Sequence, residues 1–536
     1  MKVLTYILVF IFVLKLDSIS AATIITVANG SSIQVAIDNA IDGDIIKVAA
    51  GTFNESLIIN QKSIILKGGF SDDFTTQNTE QYITIITSIN TNTVALMLTS
   101  CTNVTIDGFI IKNGRRGIEM NDILWPIVSD NITISNNIIE SNGIETDVNF
   151  KGGGLKLIGS NIFIQNNIIR NNNAGRGGGL AISGIDNFIL DANIIEDNIG
   201  HGDHGGGVTM HGTGLVSNNI ISRNRIGESL GYGWGGGVLA YNYDHKVIRF
   251  NNNIWTENYS SGSGGAMIID EGCVAYLENE LFYNNICPQG SQLLIDDYNG
   301  PESASVVEIT NSTFFGESSF QIDGSFVTIK NSIIWDPNLS NNTDTLLRND
   351  NFYVHSGGTL DISYSCFQLP SYLNTGVGNI NINPLFVDAV GDDFHLKSTY
   401  GHWEDFNWII DNENSHAIDS GDPNDAFNLE PINNGSRINM GCYGNTMQAS
   451  KSNSTLSVEN VNLIKVNLFP NPVKELLTID IANSVLKNVL IYDELGQKLM
   501  ESTAKNINVS NLNSGMYFVE ISTESGKKIV KKIIKY

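Results

Sequence analysis

Positive charge is scarce in this chain. Lys and Arg number 31 against 56 Asp and Glu, a formal balance of −25, and charged residues of all kinds make up only 16%. Phosphate backbones need a basic face, so nucleic acid is excluded as a partner. A polyanionic polysaccharide would be repelled at long range unless a cation bridges it. Neutral glycans and divalent cations such as Ca2+ are compatible, and no cofactor is required. Cysteine is sparse too. Cys101, Cys273, Cys287, Cys366 and Cys442 are odd in number and lack CxxC spacing, which argues against a zinc site. Cys273 and Cys287 could meet on adjacent turns of a repeat; buried thiols are the simpler expectation. Beyond the N-terminus no apolar run is long enough to span a membrane. At 536 residues the chain exceeds one ordinary core, so several domains or an elongated repeat are expected.

What is present begins with a secretory signal peptide over residues 1–22. Lys2 supplies the positive start, Tyr6 to Leu14 the apolar region, and Ser18 to Ala22 the small residues for cleavage.

Internal repetition follows. Two bulky apolar residues, two mostly polar ones and an Asn recur as Ile138-Ile-Glu-Ser-Asn142, Ile168-Ile-Arg-Asn-Asn172, Ile194-Ile-Glu-Asp-Asn198, Ile220-Ile-Ser-Arg-Asn224, Ile254-Trp-Thr-Glu-Asn258 and Leu281-Phe-Tyr-Asn-Asn285. Phe109 to Asn113 is read as an earlier copy with one extra residue, giving Asn spacings of 29, 30, 26, 26, 34 and 27. Such a period is one supersecondary unit that must stack on its neighbours to bury its apolar face. Each unit holds three short β-favouring runs, for example Leu155 to Ile158, Asn161 to Gln165 and Ile168-Ile169. The fold class is therefore all-β: a parallel β-helix with three sheets, in which equivalent Asn residues stack into amide ladders.

A glycine cluster precedes the first strand of each unit: Gly152 to Gly154, Gly177 to Gly179, Gly205 to Gly207, Gly235 to Gly237, and Gly264-Gly265. No helix or P-loop Lys-Ser/Thr follows, so these read as tight corners and not as phosphate cradles. Ser31 to Ile41 reads as a short amphipathic helix with Ile33, Val35, Ala36, Ala40 and Ile41 apolar, capping the open end.

The stretch Ser31 to Ile37, with Asp42-Gly-Asp44 and Gly51-Thr-Phe53, resembles the start of pectin-lyase-like right-handed parallel β-helix proteins. Asn383 to Asp388, Ala417 to Pro423 and Arg437 to Gly444 resemble the closing segment of bacterial choice-of-anchor β-helix proteins. Together these frame the β-helix as residues 23–447. The family hosts lyases, hydrolases, epimerases and adhesins, so the resemblance leaves the chemistry open.

A small-polar linker is expected over 448–464, then a small β-sandwich over 465–536. Leu468-Phe-Pro-Asn-Pro-Val473, the Asp493 to Gly496 turn, Ser514 to Phe518 and the basic final strand are similar to type IX sorting domains of the Bacteroidota. That resemblance implies the type IX secretion machinery as a partner, and release or attachment at the outer-membrane surface.

Strand alternation gives the orientation of the sheet that follows the glycine corners. With Leu155, Leu180, Val208, Val238 and Met267 inward, Lys156, Ala181, Thr209, Leu239 and Ile268 face out. That outward row is bland, but the corners beside it are not. His201, Asp203, His204 and His211 form the one histidine cluster, with Arg115, Arg116, Lys151 and Arg176 on related corners. Tyr232, Trp234, Tyr241 and Tyr243 offer sugar-stacking faces, and Asp270 and Glu271 follow one coil later. A uronan lyase would use His204 or His211 as base and Arg176 or Lys156 to neutralise the carboxylate. A hydrolase would use Asp203 and Asp270; a metal site would draw on His201, Asp203, His204 and His211. The alternative to all three is solvated corner residues. Asp419, Asp422 and Arg437 read as structural. The expectation is a monomeric, exported protein that binds an extracellular glycan, with or without cleaving it, and a non-enzymatic adhesin or spacer is the alternative.

Overall fold

A computed structural model describes residues 22–536 apart from 122–128, 144–148, 228–231, 289–290, 298–299, 317–319, 338–351, 369–375, 454–465, 482–484, 494–496 and 525–527. Nearly all of the expected signal peptide, most of the linker and part of the Asp493 to Gly496 turn lie outside the described residues. The chain forms two units, Met1–Ser454 and Thr455–Tyr536.

The first unit is a parallel β-helix. Its coil-to-coil pairings are parallel, as in Leu155↔Leu180, Ile162↔Phe188 and Ile168↔Ile194, with register shifts where Ile45–Ala49 meets Ile65–Phe70 and where Leu180–Asp191 meets Val208–Ser217. One sheet holds 12 strands, from Gly51–Asn54 to Cys366–Phe367. The expected separation into three strands per coil fails at two places. Leu180–Asp191 and Val208–Ser217 run round a corner and each pair in two sheets.

Inward residues fill a single core: Ile139, Ile169, Ile195 and Ile221 stack along the 12-stranded sheet. From Trp255 to Phe314 aromatics take over the column. Trp255 lies 5.4 Å from Phe282, which lies 4.4 Å from Phe314, each pair stacked.

The corners are held by buried Asn. Asn142, Asn172, Asn198, Asn224, Asn258 and Asn285 form the expected ladder. In Asn198 the backbone N–H and the Nδ2 both donate to Asn224 Oδ1, at 3.1 and 3.0 Å, while Nδ2 also donates to Ile169 O at 2.9 Å. Each amide thus satisfies backbone groups that a corner leaves unpaired. Asn113 is not in the ladder. It takes a left-handed conformation (φ 61°), and Gly114 occupies the ladder position, donating to Asn142 Oδ1.

A second ladder runs one corner away, through Asn137, Asn167, Asn193, Asn219 and Asn253. It continues into Glu280, then Ser312, Ser332 and Ser365.

The N-terminal helix is Ile33–Asn39, capped by the Ser32 side chain. Ile33, Ala36, Ile37 and Ala40 face the core, whereas Val35 and Ile41 are exposed. The closing segment does not simply follow the last coil. It folds back on the outer face of the 12-stranded sheet, where Leu281, Tyr283 and Phe315 meet Phe386, Phe394 and Cys442, and Lys330 pairs with Asp422 and Asp425. Those strands are apolar on both faces because both are covered. Arg437 donates to the carbonyls of Ser420 and Gly421, a structural role. None of the five cysteines is in a disulfide, and only Cys287 is not buried.

The second unit is a pair of antiparallel sheets, of three and four strands, around Val473, Leu477, Ile479, Val489, Val519, Ile521 and Ile533.

Asn198→Ala should cost about 3 kcal/mol, because it strands donors and acceptors on three coils. The solvent-exposed Asn187→Ala should cost only about 1 kcal/mol, for placing alanine at a left-handed φ of 66°. Denaturant melts of the two variants check this. Glu280 is buried and its carboxyl is pushed up to about 8 by burial, against hydrogen bonds from Trp255 and Asn253. The folded state keeps this proton while the unfolded chain releases it near 4.5. Stability should therefore fall as pH rises from about 5 to 8, by on the order of a few kcal/mol. In Glu280→Gln, melts across this range should lose that slope.

Candidate functional site

Three parallel rows of side chains run along the sheet that follows the glycine corners. The first row is the residue just before each left-handed glycine: Lys151, Arg176, His204, Trp234 and Ser263. Lys151 bridges Arg176, and Trp234 bridges both His204 and Ser263. The glycines set this row. Gly177 has φ 59°, and a Cβ on the neighbouring Gly178 would lie 2.5 Å from Ile199 O, so no side chain fits between coils there.

The second row is the outward face of the strands: Lys156, Ala181, Thr209, Leu239, Ile268, Leu294 and Gln321. Leu239, Ile268 and Leu294 form a small apolar cluster outside the main core, flanked by Trp234 and Tyr241. The third row lies two residues further on: His211, Tyr241, Asp270, Asp296, Asp323 and His355.

Between the first and third rows, with the second as floor, is a cavity of about 720 Å³. Lys151, Arg176, Asp203, His204, Tyr232, Trp234, Tyr241, Tyr243, Asp270, Glu271 and Asp296 line it.

At one end Arg176 grips Asp203 with two nitrogens, at 2.7 and 3.0 Å. Asp203 Oδ1 also lies 2.7 Å from His204 Nδ1. Burial works against ionising Asp203, but His204 and Arg176 outweigh it and hold the carboxyl below the usual range. Lys151 has no carboxylate within ion-pair reach among the described residues. Burial, then Arg176 and Lys156, push its ammonium down. His204 meets Trp234 edge-on at 5.2 Å. Tyr243 is pushed up to about 12, chiefly by its hydrogen bond to Glu271.

Three expected participants stand elsewhere. Lys156 pairs with Glu119 at 3.1 Å and does not line the cavity. His211 is stacked on Tyr241 at 5.2 Å, one coil before it in the third row, and does not line the cavity; burial lowers its pKa, and its Nε2 has no hydrogen-bond partner among the described residues. It orders the tyrosines and is poorly placed as a base. His201 turns to Asn173 instead. The four-residue His/Asp metal set is thus not assembled. Among the described residues the one group with ligand atoms close enough for a cation is Asp296, Asp297 and Asp323, within 4.8 Å of one another. Asp296, Leu294 and Gln321 were not singled out from sequence, because no glycine cluster marks their coils.

The family "Secretion system C-terminal sorting domain" matches residues 467–536, and "Disaggregatase related" matches residues 330–421. The chain is therefore a parallel β-helix protein with a C-terminal type IX sorting domain, which marks it for the cell surface or the medium. It is 33% identical over 86 residues to the ulvan lyase NLR42 of Nonlabens ulvanivorans, a stretch covering 15% of this chain and 16% of that protein. It is also similar to the solved PL6 family alginate lyase AlyGC (TM-score 0.41, 14% identity, 67% of this chain and 53% of that one). A GH87 alpha-1,3-glucanase from Streptomyces thermodiastaticus strain HF3-3 gives TM-score 0.43 and 15% identity, over 68% and 71%. At these values the likenesses carry no argument about chemistry.

Asp203→Asn should loosen Arg176 and His204 together, costing about 1 kcal/mol at neutral pH for a partly solvated pair. Wild-type Asp203 loses the same interaction on protonation, so the gap in melting temperature should close as pH falls through its titration.

Proposed function

We propose that this protein is exported and binds a uronate-containing polysaccharide in the three-row cleft, where it cleaves the chain by β-elimination. The observation that carries the reading is the convergence of Lys151, Arg176 and His204 with the aromatic side chains Trp234, Tyr241 and Tyr243 around one elongated cavity. An adhesin or spacer needs no such cavity. The overall charge of −25 disfavours polyanions only at long range. Within a Debye length of about 8 Å the local cations decide.

In this reading aromatic faces and the Leu239, Ile268 and Leu294 floor take the apolar faces of the sugar rings. Arg176, held rigid by Asp203, neutralises the uronate carboxylate and so acidifies the adjacent ring proton. Lys151 takes that proton. Its lowered pKa leaves more neutral amine near physiological pH than an ordinary lysine has. The electron pair forms the ring double bond, the glycosidic C–O bond breaks, and His204 supplies a proton to the departing oxygen. Asp203 is ill suited as a hydrolase acid, because its partners hold it ionised. No step needs a cofactor. Calcium, if used, would sit with Asp296, Asp297 and Asp323, several coils from Lys151. The named activity of NLR42 accords with this reading but covers too little of either chain to support it. The protein acts as a monomer, its signal peptide removed on export; surface attachment or release follows the sorting step.

On a uronate polymer that wild type cleaves, Lys151→Ala and His204→Ala should each lower kcat at least about 100-fold, with KM little changed. The unsaturated-uronate absorbance reports the rate. New reducing ends without that absorbance would make the enzyme a hydrolase. Binding without cleavage would make it a binding module.

A further inference from the structure

Charge is sorted along the cleft. Toward the N-terminal coils two cations line it, Lys151 and Arg176, against one carboxylate, Asp203; Arg116 and Lys156 are paired with Glu119 outside the cavity. Toward the C-terminal coils the third row turns acidic. Tyr241 pairs with Asp270 in parallel register, and the next two coils put Asp296 and then Asp323 in the same position. Glu271 and Asp297 flank that column. His355 closes it, with its Nδ1 3.0 Å from Asp323. Burial and the neighbouring carboxylates raise both Asp296 and Asp297, so the column is already crowded with negative charge.

The separation between the two regions decides how they act. Asp270 stands three coils beyond Arg176, roughly 14 Å at about 4.8 Å per coil. That exceeds the Debye length of about 8 Å at physiological salt. Each end therefore acts on its own stretch of ligand, and neither neutralises the other. On the two coils between Arg176 and Asp270 the floor is the uncharged Thr209 and Leu239, with His204, Trp234 and Tyr241 on the flanking rows.

We infer that the cleft selects a heteropolysaccharide in which a uronate, seated over Lys151 and Arg176, is followed toward Asp296 by uncharged sugars. This rests on the glycan-cleft reading above and names its substrate class. A polymer of uronate alone would set a second carboxylate against Asp270 and Asp296, where no Lys or Arg stands among the described residues lining the cavity. Like-charge contact of this kind suppresses the wrong partner. Neutral sugars meet no such penalty, and their hydroxyls donate hydrogen bonds to the same carboxylates.

The test compares two homopolyuronates, polygalacturonate and alginate, with hyaluronan and gellan, unsulfated polymers in which neutral sugars separate the glucuronates. Binding is read by affinity electrophoresis with chelator present, using the full chain, and cleavage by absorbance. Wild type should favour at least one of the alternating polymers over both homopolymers by about tenfold or more. Asp296→Asn and the Asp270→Asn/Asp296→Asn double variant should narrow that ratio by improving homopolymer binding. Equal binding of both classes, or a ratio unmoved in folded Asn variants, would overturn the substrate assignment and leave the glycan cleft standing. A preference for homopolyuronates that appears on adding calcium would overturn it as well, by making the column a cation bridge. Binding of none of the four would sink both readings.

Discussion

The structure depends on one interaction above the others, the buried carboxamide that reaches both neighbouring coils. A β-helix turns three corners per coil, and each corner takes backbone N–H and C=O groups out of the sheet ladders. In Asn198 one side chain accepts from the coil before, donates to the coil after and ties back to Ile169 O. No apolar residue can do this, and serine does it only in part. Repeating the arrangement at every coil fixes the register of all three sheets at once. That register is what lines up the rows forming the cleft.

Glu280 shows the constraint by breaking it. It occupies a ladder position beside Trp255, where the core column changes from isoleucine to stacked aromatics, and beyond it the ladder runs on serine hydroxyls. The longer side chain gives the indole N–H an acceptor. The cost is a carboxyl kept from water. The ladder chemistry and the core volume change at the same coil, which suggests that they are one adjustment.

The repeat and the glycine corners were legible because both are fixed by backbone geometry: buried Asn and left-handed Gly have few substitutes. The second ladder was not legible. In Asn136-Asn137 and Asn166-Asn167 one Asn is left-handed and exposed at the bend while its neighbour is buried, and sequence does not distinguish them. The same ambiguity shifted Asn113 from its true place beside Gly114. The outward row of the sheet was read correctly as bland, yet it is the floor of the cavity and its chemistry stands on either side. His211 looked like a member of the histidine cluster because it is near in sequence; strand alternation places it in the third row, beneath Tyr241. The fold-back of the closing segment depends on outer faces such as Leu281, Tyr283 and Phe315 meeting residues more than 60 positions away, which periodicity does not reveal.

The register of the first and third rows has a further consequence. Each coil contributes one corner side chain and one strand-end side chain to the cleft, so the cleft is graduated like a ruler, in units of one coil. Duplicating or deleting a whole coil preserves every ladder contact and changes only the number of graduations. Binding-site length in such a protein can therefore evolve by integer steps, independently of the residues that set its chemistry.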